Sequence, residues 1–232
     1  MKTRKILSVL LTFVLALGVI AIAPVMANAA DIHDVCDATE LAAALAGPWT
    51  DGDIIKLEAD ITYTDLIFID GKTITFDLNG KILDVVNASI NTYAFTVSNG
   101  GQVLLKDPTN GQLNITGTHG LNASGSGKVE VTNVTATSTS TNGCGIITNT
   151  ASTVITVYGN VSITSGVSAS YGVRASNGSQ VTVEGTVTVQ PGMIYIQVGF
   201  QDKTQTQYEA TSSNLGYFEY KGTNSLYSTM FG

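Results

Sequence analysis

Apolar and polar residues alternate in short runs along most of the chain, and from Tyr93 to Gln190 these runs recur about every twenty-six residues. Each pass contains three alternating runs separated by small-residue turns, with no helical pattern between them. The four passes begin Tyr93-Ala94-Phe95, His119-Gly120-Leu121, Cys144-Gly145-Ile146 and Tyr171-Gly172-Val173. A β-sandwich does not need equivalent residues at a fixed interval, so the pattern predicts a coil of parallel strands, three per turn.

The alternation within each run predicts which side chains face the core. Three inward stacks result, each with one residue from every pass. They are Phe95, Leu121, Ile146 and Val173; Val103, Val129, Ile155 and Val181; and Leu113, Val134, Val161 and Val187. Because successive turns of such a coil lie about 4.8 Å apart, each stack is expected to form a continuous apolar ladder.

The segments on either side of the repeat predict further turns and two caps. Strand patterns at 53–57, 61–63, 66–69 and within 71–86 indicate about two more turns. Residues 31–47 predict a helix, in which Asp37 and Glu40 have capping-box spacing. We expect this helix to cover the open edge of the first turn. Residues 201–232 are rich in Tyr and Phe and predict a C-terminal cap, with an aromatic binding patch as the alternative.

The first 29 residues have the pattern of an export signal. Lys2, Arg4 and Lys5 precede an apolar run, and Ala27-Asn28-Ala29 is a small-residue cleavage site. The alternative is a membrane anchor, but Pro24 and the cleavage site favour removal. The domain organisation expected is therefore a signal peptide over 1–29, a β-helix over 30–200 and a cap over 201–232.

The charge balance restricts the partners. The chain carries a net charge of −7, and losing the three basic residues of the signal, which contains no acid, takes it to −10. Nucleic acids and anionic membranes select basic surfaces, so neither is expected as a partner. No second apolar segment has the length of a membrane span. The expected location is extracellular or at the cell surface.

The stretches from Gly52 to Ile61 and from Gly71 to Lys81, with the turns from Tyr93 onward, resemble right-handed parallel β-helix domains of the pectin-lyase-like type. The resemblance covers about residues 31 to 200, and such domains occur widely in exported bacterial surface proteins. It implies the architecture but no single activity, because the group includes polysaccharide lyases, polysaccharide hydrolases and adhesins.

The catalytic residues of that group do not transfer to this chain. Its lyases resemble one another in having calcium-binding acidic clusters with a basic residue, and its hydrolases have closely placed aspartates. Between Val85 and Phe200 the acids are Asp107, Glu130 and Glu184, which lie on different turns. The register is expected to place Glu130 beside Thr156 and Thr182 rather than beside another acid. His119-Gly120 resembles a fragment of the hydrolase pattern without its aspartates.

One corner column of the predicted coil contains residues with chemical potential: Tyr93, His119, Cys144 and Tyr171. A Cys–His dyad would hold the Cys144 thiol as a thiolate. The simpler interpretation is a stack of medium-sized side chains, which we favour because no third residue orients the imidazole. Cys36 lies in the N-terminal cap, several turns from Cys144, so no disulfide between them is expected. The prediction is two free thiols, with pairing of Cys36 to another chain as the alternative.

The most regular polar surface is predicted on the third strand of each turn. Asn114, Thr135, Ser162 and Thr188 would form one outward column, and Thr116, Thr137, Thr164 and Gln190 the next. Such a face suits contact with a polysaccharide or with ice, while ordinary solvated strand surface is also rich in Thr. No ligand cluster for a metal is evident, and no cofactor is expected.

Together these observations predict an all-β, exported β-helix without catalytic function, acting as a structural or adhesive surface module that contacts glycans. Its expected partners are a cell-wall or extracellular polysaccharide, or a surface protein. The alternatives are a polysaccharide lyase or hydrolase, and an ice-binding protein.

Overall fold

The computed structural model describes residues 30–48, 50–137, 143–164 and 170–198, together with the backbone of three C-terminal strands. Within these residues the chain forms one helix, α1 (Ala38–Ala46), and three sheets. Sheet A contains β1 (Ile32–Val35), β2 (Asp53–Leu57), β5 (Thr73–Asp77), β8 (Gln102–Leu105), β11 (Lys128–Val131), β14 (Val154–Val157), β17 (Gln180–Val183), β21 (Phe218–Lys221) and β22 (Ser228–Phe231).

Sheets B and C complete each turn. Sheet B contains β3 (Ile61–Tyr63), β6 (Ile82–Asn87), β9 (Gln112–Gly117), β12 (Asn133–Ala136), β15 (Val161–Ile163) and β18 (Val187–Thr188). Sheet C contains β4 (Ile67–Asp70), β7 (Tyr93–Ser98), β10 (His119–Ala123), β13 (Cys144–Thr148), β16 (Tyr171–Ala175), β19 (Ile194–Val198) and β20 (Gln201–Lys203).

The strands visit the three sheets in rotation, and each pairs in parallel with the equivalent strand of the next turn. The order in sheet A, for example, runs β1-β2-β5-β8-β11-β14-β17. The result is a parallel β-helix of about six turns. It confirms the predicted all-β coil with three short strands per turn.

The core runs along the axis of the coil as stacked apolar side chains. The predicted stacks on sheets C and A are confirmed, since Leu121 pairs with Phe95 and Ile146, and Val129 pairs with Val103 and Ile155. On sheet B the predicted stack is wrong at its first member, because Val134 pairs with Ile115 rather than with Leu113. Both side chains are buried, so the slip of two residues keeps the same face toward the core.

Glycine lets the walls of sheets C and B approach each other inside the coil. A Cβ on Gly145 would lie 2.5 Å from the carbonyl oxygen of Gly172 and 2.8 Å from a methyl carbon of Val161. Gly120 and Gly172 face valines of sheet B in the same way. One turn has Ala94 at the equivalent position on sheet C. There the neighbour of Ala94 on sheet B is a glycine, Gly117, so one residue of the pair still lacks a side chain.

The N-terminal helix is shorter than predicted. Residues 32–35 form strand β1, which pairs with β2, and α1 begins only at Ala38. The Asp37 side chain accepts hydrogen bonds from the N–H groups of Thr39 and Glu40, as an N-cap does. Glu40 accepts the N–H of Cys36 instead of that of Asp37. Leu41 is fully buried and attaches the helix to the core.

The C-terminal residues extend the sheets. Strand β22 pairs in parallel with β17, β21 pairs with β22 in antiparallel orientation, and β20 pairs with β19 in antiparallel orientation. The aromatic side chains of the predicted cap lie outside the residues whose side chains are described. The predicted signal, residues 1–29, also lies outside them.

Candidate functional site

The outward face of sheet B carries a single column of four hydroxyl groups. Thr135 pairs with Thr116 and with Ser162, and Ser162 pairs with Thr188. We call these four residues the hydroxyl column. Asn114 was predicted in this column and Thr116 in the next, and both assignments are wrong by the same two-residue slip. The loop at 106–111 before β9 has no counterpart before β12, so the two strands begin at different points of the pattern.

In the second predicted column Thr137 and Thr164 are exposed, but their hydroxyl groups are engaged in hydrogen bonds at the strand ends. The hydroxyl of Thr137 donates to the carbonyl oxygen of Gly117 at 3.1 Å, and that of Thr164 donates to the carbonyl oxygen of Ala136 at 3.5 Å. Gln190 is exposed at the end of sheet B. Because two of the hydroxyl groups close the strand ends, the sheet B face presents one in-register column rather than two.

A ladder of hydrogen bonds built on three asparagine side chains borders the hydroxyl column, and the sequence pattern did not predict it. It runs across five turns through Asp84, Asn114, Asn133, Asn160 and Thr186. The Asn114 amide donates to Asp84 at 2.9 Å, and the Asn133 amide donates to Asn114 at 2.8 Å. The oxygen of Asn133 accepts the N–H of Asn160, whose own oxygen accepts from Thr186. These amides stabilise the corner between sheets A and B, so they are committed to structure.

The four residues of the predicted corner column are the first residues of β7, β10, β13 and β16, and two pairs of them are in register. Tyr93 pairs with His119, and their rings meet edge to face with centroids 5.1 Å apart. Cys144 pairs with Tyr171, and the Arg174 guanidinium lies 5.4 Å from the centroid of the Tyr171 ring. His119 and Cys144 are both buried. The column is therefore an aromatic stack with the thiol inside it.

Burial disfavours a thiolate at this position. It raises the pKa of Cys144 to about 11, with the charge of Arg174 opposing the rise. Burial, together with the nearby Cys144, raises the pKa of Tyr93 to about 12. A nucleophilic cysteine needs a lowered pKa. The geometry thus favours the packing interpretation of the column over the dyad.

The carboxylates of the middle turns are held in separate structural contacts. Glu130 pairs with Thr156 in the ladder, as predicted, and is buried. One of its oxygens accepts the Leu105 N–H at 2.9 Å, and the other lies 2.6 Å from the Lys128 ammonium. Asp107 accepts from the N–H and hydroxyl of Thr109. The hydrogen bond from Leu105 to Glu130 completes the backbone hydrogen bonding of β8 beyond the point where its pairing with β11 ends.

A groove of about 400 Å³ opens between β1 and α1, and the sequence pattern did not predict it. Strand β1 contributes His33, Asp34 and Val35, and the helix contributes Glu40, Ala43, Ala44 and Gly47. These four residues follow the spacing of one helix face, and the small size of Ala43, Ala44 and Gly47 leaves the space open. That spacing is visible in the sequence, but the position of the helix against β1 is not.

The buried carboxylate of Asp53 lies next to His33, which lines the groove. Asp53 accepts the N–H groups of Asp31 and Thr50 at 3.0 and 2.9 Å, and its carboxylate lies 3.6 Å from Nε2 of His33. Burial acts to raise the pKa of Asp53, but these hydrogen bonds and the imidazole outweigh it and lower the pKa. The carboxylate therefore stays ionised and holds His33 at the groove wall.

The described residues contain no group of three or more His, Cys, Asp or Glu side chains that could hold a metal ion. Neither Cys36 nor Cys144 takes part in a disulfide. In the part of the chain that the structure describes, no helix has the length and apolarity to cross a bilayer.

No family model matches the chain, and no match was found among the curated proteins or the solved structures.

Proposed function

We propose that the chain is an exported, non-catalytic β-helix that acts as a structural and adhesive module and contacts a polysaccharide through the hydroxyl column of sheet B. In this proposal it is an extracellular or cell-surface relative of the pectin-lyase-like domains that its turns resemble. Residues 1–29 would direct export and would then be removed.

The observation that carries the proposal is how the outward polar groups are used. Glu130 is bonded to Leu105 and Lys128, Asp107 is bonded to Thr109, and the asparagine ladder is bonded from turn to turn. General acid–base hydrolysis needs two carboxylates that face one substrate bond. The hydroxyl column, by contrast, is a regular polar row along the coil axis, and an extended sugar chain can run along it.

Binding to immobilised cell-wall and extracellular polysaccharides tests the proposal. The test variant removes the middle of the hydroxyl column with Thr135→Val and Ser162→Ala. The matched control, Thr156→Val with Thr182→Val, removes two paired hydroxyls from the outward face of sheet A. We expect binding to one class of polysaccharide that the column variant loses and the control keeps. Absence of binding to every polysaccharide, or equal binding by both variants, would contradict the proposal.

A further inference from the structure

The groove between β1 and α1 combines an apolar floor with a charged rim. Val35 is buried beneath it, and Ala43 and Ala44 line the helical wall. Asp34 and Glu40 lie at the rim and are exposed. This site is at the N-terminal end of the coil and is separate from the sheet B face, so it does not depend on glycan contact.

Both rim carboxylates keep an oxygen available. The Oδ1 atom of Asp34 lies 3.6 Å from the Lys56 ammonium, and Oε2 of Glu40 accepts from the N–H and thiol of Cys36. Among the described residues no hydrogen bond or ion pair uses the second oxygen of either group. Each carboxylate can therefore accept a further charge-assisted hydrogen bond.

Charge and apolar exposure are concentrated at the same end of the molecule. Residues 31–84 hold twelve acidic residues and three lysines, a net charge of −9, whereas the rest of the chain after residue 84 holds six acids and five bases. Of the side chains that the structure describes, the exposed large hydrophobic ones are Ile32, Phe68, Ile82 and Ile90. All four belong to the first turns of the coil, so this end presents apolar surface within a negative field.

We propose that this groove binds a lysine or arginine side chain from a basic polypeptide segment of a partner protein. The long aliphatic stem of such a side chain fits against Val35, Ala43 and Ala44, and its cationic end reaches Asp34 and Glu40. The acidic end attracts the segment and orients it. The exposed side chain of Ile32, on the groove strand, contacts apolar residues of the same segment.

Fluorescence anisotropy with a labelled lysine–alanine peptide tests this assignment. The test variant is Asp34→Asn with Glu40→Gln, in which the glutamine can still accept the Cys36 N–H. The matched control is Asp107→Asn with Glu184→Gln, which changes the net charge equally but lies on distant turns. We expect the groove variant to bind about two- to thirtyfold more weakly, the loss for two exposed ion pairs, and the control to bind like the original protein.

A second variant separates the groove from the general field. Ala43→Leu fills the space from the exposed side of the helix, so the urea midpoint should stay unchanged while peptide binding is lost. Equal weakening by both charge variants would overturn the proposal, because it would show only diffuse attraction. The proposal would also be overturned if Ala43→Leu still bound the peptide, or if the original protein bound no peptide at low salt. A response of the protein to calcium chloride, added in place of the peptide, would overturn it as well.

Discussion

Sheets C and B are in close contact inside the coil, so adding a single methyl group at this contact should destabilise the protein strongly. Gly145 is the second residue of β13, and a Cβ at this position would enter the core. A Cβ there would meet the Gly172 oxygen at 2.5 Å, the Val161 methyl at 2.8 Å and the Ile163 methyl at 3.2 Å. Real Cβ atoms essentially never come within 3.0 Å of another heavy atom. The nearest atom belongs to the backbone of the next turn, so it cannot rotate away as a side chain can.

Gly145→Ala should therefore destabilise the protein by about 3 kcal/mol, the upper part of the range for overpacking a core. With a urea dependence of about 2 kcal/mol per molar, the unfolding midpoint would fall by roughly 1.5 M. The matched control is Gly47→Ala at the end of α1, where a Cβ meets only ordinary contacts at 3.5 and 3.6 Å. That change should move the midpoint by no more than a few tenths molar.

The assay is urea unfolding followed by far-ultraviolet circular dichroism, with both variants measured beside the original protein. Equal midpoints for Gly145→Ala and Gly47→Ala would refute the reasoning. Gly145 would then lie farther from Gly172 and Val161 than the structure places it.

Three further outcomes follow from the described contacts. Asn133→Ala should lower the free energy of unfolding by about 0.5–1.5 kcal/mol, because it removes the half-exposed hydrogen bonds to the Asn160 N–H and the Asn114 oxygen. Thr188→Val at the exposed end of the hydroxyl column should change it by less than about 0.5 kcal/mol, and equal urea midpoints would refute the ladder. In the folded protein Cys144 should resist a thiol reagent at neutral pH and react only after unfolding, because it is buried with a pKa of about 11; rapid labelling of Cys144 in the native state would restore the dyad hypothesis. Folding raises the pKa of Tyr93 from 10.0 to about 12, so its contribution to the free energy of unfolding is intact below pH 10 and is lost as the pH rises to about 12. The urea midpoint of Tyr93→Phe should therefore fall less than that of the original protein between pH 10 and about 12. An identical fall would contradict this.

The architecture was readable from the sequence because every turn repeats the same inward residues. Leu121, Val129 and their equivalents recur at a near-constant interval, and each interval returns the chain to the same sheet. The register of β9 was not readable, because Leu113 and Ile115 are both inward and alternation cannot choose between them. Only the pairing of Ile115 with Val134 decides it.

Features that depend on packing between elements could not be predicted from the sequence pattern. Residues 32–35 lack a clear strand pattern, and they become β1 because β2 offers an unpaired edge. An asparagine precedes the buried valine of sheet B in two successive turns, at Asn133 and Asn160, but its hydrogen bonds depend on the register. The groove depends on where α1 lies against β1, which no periodicity in residues 31–47 reports.

The central functional claim is that the protein binds a polysaccharide without cleaving it, and one measurement tests this directly. The purified protein is incubated with each polysaccharide that it binds, and new sugar chain ends are quantified over time. The account predicts bound polysaccharide of unchanged length and no new ends. Cleavage that disappears in Glu130→Gln, Glu184→Gln or Asp107→Asn would contradict it and establish a carbohydrate-active enzyme.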